Sequence, residues 1–160
     1  MKTSTLALAA LFLLPTTTIA AESTPADFGA AFCKGGIDND MSAIEAALTP
    51  DLAKVIAEAE AKNAEIQAAT PDEKPPLGDG LPWRSWPDYA DGCEVGTIAE
   101  DAGKTLVEIR YSFTSSPDAN YADHLVLIPP ATGTDSWQLD DIKLIDGMTL
   151  RSVLAGAFEQ

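Results

Sequence analysis

Hydrophobic spacing along the chain changes near residue 93. Apolar positions recur three and four apart in Ala-rich text before it and alternate in β-branched and aromatic text after it. The pattern predicts helices followed by strands. Thr24-Pro25-Ala-Asp27 opens the first helix with a capping hydroxyl, a proline at the first helical position and an early acid, and Phe28 and Phe32 lie one turn apart behind it. Gly35-Gly36 is expected to end it. Ser42 and Glu45 have capping-box spacing and predict a short helix to Leu48. Thr49-Pro50-Asp51 starts a longer one. Its Leu52, Val55, Ile56, Ala59 and Ile66 share a face opposite Lys54, Glu58, Lys62 and Glu65, with Glu58 and Lys62 set for an i,i+4 pair.

Residues 70–82 hold four prolines and two glycines, which exclude both a helix and a central strand. This long loop runs into an aromatic cluster, Trp83, Trp86 and Tyr89, beside Cys93. Four strand-like runs follow, at 94–99, 104–114, 121–128 and from Trp137 onward. In the second, Val107, Ile109, Tyr111 and Phe113 alternate with Glu108, Arg110 and Ser112, the mark of a strand with one buried face. In the fourth, Trp137 and Leu139 share one parity while Ile142 and Leu144 share the other. The apolar face therefore switches at Asp140-Asp141, which predicts a β-bulge. Leu150, Val153, Leu154, Ala157 and Phe158 predict a closing amphipathic helix.

The first 20 residues read as a secretory signal peptide: Lys2, then the apolar Leu6–Leu14 run, then a small-residue cleavage site near Ala20 or Ala21. The run is about half the ~20 residues that a transmembrane helix needs. The first cysteine, Cys33, lies too far on for a lipoprotein anchor. The remainder, residues 21–160, has the size of one domain and is expected to be soluble and periplasmic or secreted, without membrane attachment after cleavage. Export makes Cys33 and Cys93, the chain's two cysteines, an expected disulfide. Closing so long a loop would stabilise the fold by about 4 kcal/mol on the chain-entropy account.

Net charge is −15 and becomes −16 once Lys2 leaves. Such a field repels phosphate backbones and anionic headgroups, so nucleic acid is not an expected partner, whereas a basic protein is compatible.

Leu81-Pro-Trp83, Trp86-Pro-Asp88 and Cys93-Glu-Val-Gly96 precede the strands, followed by Asp123-His-Leu-Val-Leu127, Trp137-Gln-Leu-Asp140-Asp141-Ile142 and Leu150-Arg151. Together these strings resemble a family of exported bacterial domains of unknown function, placed among the cystatin-like folds related to nuclear transport factor two and ketosteroid isomerase. The likeness covers roughly residues 25 to 158. It implies an α+β fold, with N-terminal helices packed on a curved antiparallel sheet of about four strands, a C-terminal helix and often a conical pocket.

Catalytic chemistry is thinly represented. His124 is the one imidazole, alternating with Asp123 and Leu125 on a strand, and lacks the partners of a typical zinc site. An isomerase-like site would pair a buried carboxylate with a tyrosine, for which Asp123 or Asp88 with Tyr111 are the candidates. Asp140 and Asp141 are expected to shape their strand and bond nearby backbone or Arg groups, and Trp137 to be structural. Asp38-Asn-Asp40 begins like a calcium loop but has Ala43 and Thr49 where Gly and Glu are required. No nucleotide or hydrolase motif occurs, and no cofactor or metal is expected. The expected function is binding of a protein partner or a small apolar ligand in the sheet's concavity, with a small isomerase-like or hydrolase-like enzyme as the alternative.

Overall fold

The computed structural model describes residues 23–159 except 79, 87 and 131–135. The expected signal segment, residues 1–20, lies outside the described residues.

Three helices precede the strands: α1 (Pro25–Asp38), α2 (Ser42–Glu45) and α3 (Pro50–Ala69). Thr24 caps α1 reciprocally, accepting from the Asp27 N–H while the Asp27 carboxylate accepts from the Thr24 N–H. Gly35 and Gly36 do not end this helix. The left-handed residue is Asn39, at φ 54, whose N–H closes onto the Gly35 carbonyl. Gly35 is instead a contact glycine, since a Cβ there would stand 2.8 Å from the Asp40 carbonyl oxygen. The short helix α2 also differs from expectation: it stops at Glu45 and has no side-chain cap of its own, and the Asp40 carboxylate accepts from the Ser42 N–H at 3.1 Å. Thr49 caps α3 by accepting from the Leu52 N–H at 3.2 Å. On its exposed face Lys54 pairs with Glu58, and Lys62 stands 4.8 Å over the Phe158 ring instead of pairing with Glu58.

The strands β1 (Gly92–Asp101), β2 (Lys104–Ser112), β3 (Tyr121–Ile128) and β4 (Gln138–Lys143) form one antiparallel meander in the order β1-β2-β3-β4. Helix α4 (Leu150–Gly156) closes the chain. The architecture is α+β, with the helices laid on an open sheet. Val107, Ile109, Leu125, Leu127, Leu139 and Ile142 from the strands are fully buried with Leu52, Leu150 and Leu154 from the helices in one cluster. Each such side chain contributes about 1.5–3 kcal/mol relative to exposure. Helix α1 lies across β1 and β2, and α3 packs on α4 and β4. Gly29 lets α1 descend, because a Cβ at that position would stand 2.8 Å from Val95 Cγ2 and 3.0 Å from Val107 Cγ1.

The sheet has two irregularities. On β4, Val126 of β3 faces Asp141 and Leu127 faces Leu139, so Asp140 is the extra residue of a bulge. This bulge lets Leu139 and Ile142 both point inward, as the parity switch requires. On β1, the pairing shifts between Val95 and Ile98. There the Glu108 carboxylate receives the Thr97 N–H at 2.8 Å and the Arg110 guanidinium at 2.7 Å. Those donors hold the Glu108 carboxyl down at about 2.

Cys33 of α1 and Cys93 of β1 form the disulfide. Among the described residues no helix is long and apolar enough to cross a membrane.

Candidate functional site

The long loop between α3 and β1, residues 70–91, is held by specific polar contacts, as its prolines and glycines preclude a ladder. Asn63 of α3 accepts from the Leu77 N–H at 2.9 Å, and the Gln67 amide donates to the Pro71 and Glu73 carbonyls. Leu77, Leu81 and Trp83 then pack on the core from outside. Further along, Ser85 donates its backbone N–H to Asp123 Oδ2 at 2.9 Å and its hydroxyl to Asp123 Oδ1. The same hydroxyl oxygen accepts from the Ile145 N–H at 3.0 Å, joining the loop to the turn after β4. Held in this way, the loop stands off α1 and leaves a cleft.

The cleft has a volume of about 680 Å³. Phe32, Ile37 and Met41 line it from the α1 side, Leu77, Leu81 and Trp83 from the loop, and Tyr111 with the disulfide from the sheet side. Two of its apolar lining residues, Ile37 and Tyr89, are exposed by 60% and 64%, and neighbouring Trp86 by 52%, so apolar surface gathers at its rim. Arg84, Ser85 and Tyr111 supply polar groups. The Arg84 guanidinium carbon stands 5.1 Å over the Tyr89 ring centroid.

Beneath Tyr111 the aromatic packing continues. Tyr111 stacks on Tyr121 at 4.6 Å between centroids, and Tyr121 stacks on Phe113 at 6.2 Å. Burial, aided by the nearby Asp123 charge, pushes the Tyr111 phenol far above its ordinary value and that of Tyr121 up to about 12. Both are therefore neutral hydrogen-bond donors at physiological pH. The Tyr121 hydroxyl is buried with no hydrogen-bond partner among the described residues; the Trp86 main chain is near enough to favour its ionised form but outside hydrogen-bond geometry. Asp123 is 1% exposed, and burial raises its carboxyl while the two Ser85 donors pull the other way. Its oxygens face Ser85, and it does not line the cleft.

No family model, curated protein or solved structure matches the chain.

Of the catalytic candidates, Tyr111 and Asp123 share the inner face of the sheet, whereas His124 points to the opposite face. There it is paired across the strands with Glu108 and Lys143. The three do not converge. Asp88 is exposed on the loop. Asp140 accepts from Thr49 Oγ1 at 3.0 Å, Lys104 Nζ at 2.7 Å and Arg151 at 3.0 Å, and Arg151 Nε also donates to its carbonyl. Asp141 accepts from the Ile142 and Arg151 N–H groups. The acidic pair thus gathers α3, β2 and α4 around the bulge. Trp137 donates its indole N–H to the Ser23 carbonyl at 2.9 Å, fastening the start of the described chain. Among the described residues no cluster of His, Cys, Asp or Glu could hold a metal ion.

Sequence reasoning missed Arg84, Ser85, Ile37 and Met41. The available signal was a loop too long to be structureless, with an arginine and a serine set between two tryptophans.

Proposed function

We propose that this chain is an exported, non-enzymatic binding protein that holds a small, mostly apolar molecule in the cleft between α1 and the loop at 70–91. The observation that carries this reading is the cleft itself. It is an apolar cavity of about 680 Å³ with a few polar groups at one side, within the ordinary range of ligand pockets. The centre of the sheet's inner face offers no comparable room, since Val107, Ile109, Leu125 and Leu127 are fully covered. A non-enzymatic role is supported by the occupied oxygens of Asp123 and by the separation of His124 from Tyr111. The disulfide and the leader-like first residues support a periplasmic or secreted location. The helices-then-meander order supports kinship with the cystatin-like folds.

The test is titration of the folded, oxidised protein with N-phenyl-1-naphthylamine, a neutral apolar fluorophore. One saturable site per chain is expected, weakened at least tenfold by Leu81→Arg, with native circular dichroism checked in parallel. Gly36→Phe provides a second variant, because a Cβ at Gly36 meets nothing within 4 Å and the residue borders the cleft. Unsaturable binding, or equal binding by both folded variants, overturns the reading.

A further inference from the structure

The charge of the cleft's described lining runs against that of the whole chain. The sequence carries 25 acidic and 10 basic residues. The described lining of the cleft has two cations, Lys74 and Arg84, and a single acid, Asp91. That acid is held on its own side, where its Oδ2 accepts from the Thr114 N–H at 2.6 Å.

Arg84 is the more informative of the two cations. Lys34, Lys54, Lys104, Arg110, Lys143 and Arg151 each pair with a carboxylate. Arg84 has none among the described residues. Its guanidinium leans on the Tyr89 ring at the mouth of the cleft. A cation–π contact of that kind stabilises the head only modestly, and the Arg84 guanidinium donates no hydrogen bond to another described residue. Tyr111 borders the same cleft as a neutral phenol, so it can donate to an anion and cannot compete with one. In an acidic protein an arginine this near apolar walls and without a carboxylate is poised to accept one from outside.

We infer that the cleft selects an apolar molecule bearing a single carboxylate, whose head group pairs with the Arg84 guanidinium beside Tyr111 while its body lies against Phe32, Ile37, Leu81 and Trp83. This rests on the cleft being a ligand site and adds the chemical class of the ligand. A guanidinium and a carboxylate match as two parallel N–H···O bonds, and low local dielectric beside the apolar walls strengthens them. Surface acids more than about 8 Å away oppose binding weakly, since their field is screened over that distance at physiological ionic strength. Polyanions are disfavoured by the same acids, because their further charges would lie outside the cleft and meet the acidic surface.

The experiment compares octanoate with 1-octanol, equal in chain length and different in head group, by calorimetry on the oxidised protein. The readout is the ratio of their affinities. The native protein is expected to favour octanoate about tenfold or more, the advantage of charge-assisted hydrogen bonds. Arg84→Gln is expected to bring the ratio close to one, and Arg84→Lys to leave part of it. If the native protein binds both equally, the carboxylate inference fails while the ligand site stands. If Arg84→Gln keeps the preference, the assignment to Arg84 is overturned. If neither compound binds and the neutral fluorophore also fails, the ligand site itself is refuted and the inference with it.

Discussion

Ser85 engages both oxygens of Asp123, one through its backbone N–H at 2.9 Å and the other through its hydroxyl. The contact spans 38 residues of sequence and bonds the long loop to the centre of the sheet. The isomerase-like reading asked for a buried carboxylate beside a tyrosine, and that carboxylate is present. Its oxygens, however, are committed to fastening the loop that forms one wall of the cleft.

Replacing Asp123 with Asn keeps the shape and removes an acceptor for the Ser85 pair. A loss of about 1–3 kcal/mol is expected, the cost of an unmatched buried polar group. Limited proteolysis within residues 70–91 should accelerate more than cleavage elsewhere. An unchanged melting temperature together with unchanged cleavage would show that Ser85 does not depend on the carboxylate.

Glu108 and Asp123 contribute to the acid dependence of stability in opposite directions. Glu108 is held near 2 against an ordinary 4.5, first by the Thr97 N–H and then by Arg110. A lowered carboxyl stabilises the fold above its unfolded value, and the benefit is lost as pH falls from about 4.5 to about 2. Asp123 is raised by burial above its ordinary 3.8. Its fold therefore binds a proton more readily than the unfolded chain, and this contribution declines as pH rises from 3.8 through the folded value. Glu108→Gln should flatten the acid limb of a stability-against-pH curve, and Asp123→Asn should steepen it. Identical curves for the two variants would contradict the opposed directions.

Asp140 joins Thr49, Lys104 and Arg151 at the β4 bulge. Burial works against its ionised form, but the Lys104 and Thr49 hydrogen bonds outweigh it and the carboxyl lies below the usual range. Asp140→Asn is expected to lower stability by about 1–3 kcal/mol while leaving fluorophore affinity within twofold, because the bulge is remote from the cleft. A variant with native melting temperature and lost binding would reverse that division.

Two glycines of α1 should respond in opposite directions to alanine. Gly29→Ala places a methyl 2.8 Å from Val95 Cγ2 and 3.0 Å from Val107 Cγ1, and should cost about 1–3 kcal/mol through overpacking. Gly36→Ala meets nothing within 4 Å and should gain about 0.5–1 kcal/mol from helix propensity. Denaturant titration of the two variants decides this, and equal signs would refute the close packing of α1 on the sheet.

The elements were legible because their signals are local. Thr24 and Thr49 cap where their side chains and following prolines say they should, and the parity switch at Asp140 could be read as a bulge without any structure. The end of α1 was not legible in the same way. Gly35 and Gly36 satisfy a local rule for helix termination, but the contact of Gly35 with the Asp40 carbonyl is tertiary and the left-handed turn falls at Asn39. The cleft was the least legible part. Its described walls come from α1 and the residues after it, from the loop and from Tyr111, and no spacing rule places an arginine in a loop next to a tyrosine on a distant strand. The candidates Asp123, His124 and Tyr111 share a chemical type and not a site: strand alternation puts His124 on the opposite face from Asp123, and the β2–β3 register places Tyr111 on the face of Asp123.

The disulfide closes a covalent ring from Cys33 to Cys93, and the whole of the loop at 70–91 lies inside it. A protease that nicks this loop therefore releases nothing: the two fragments stay tethered and run as a single species on a gel until a reductant separates them. The wall of the cleft can be cut without the protein coming apart.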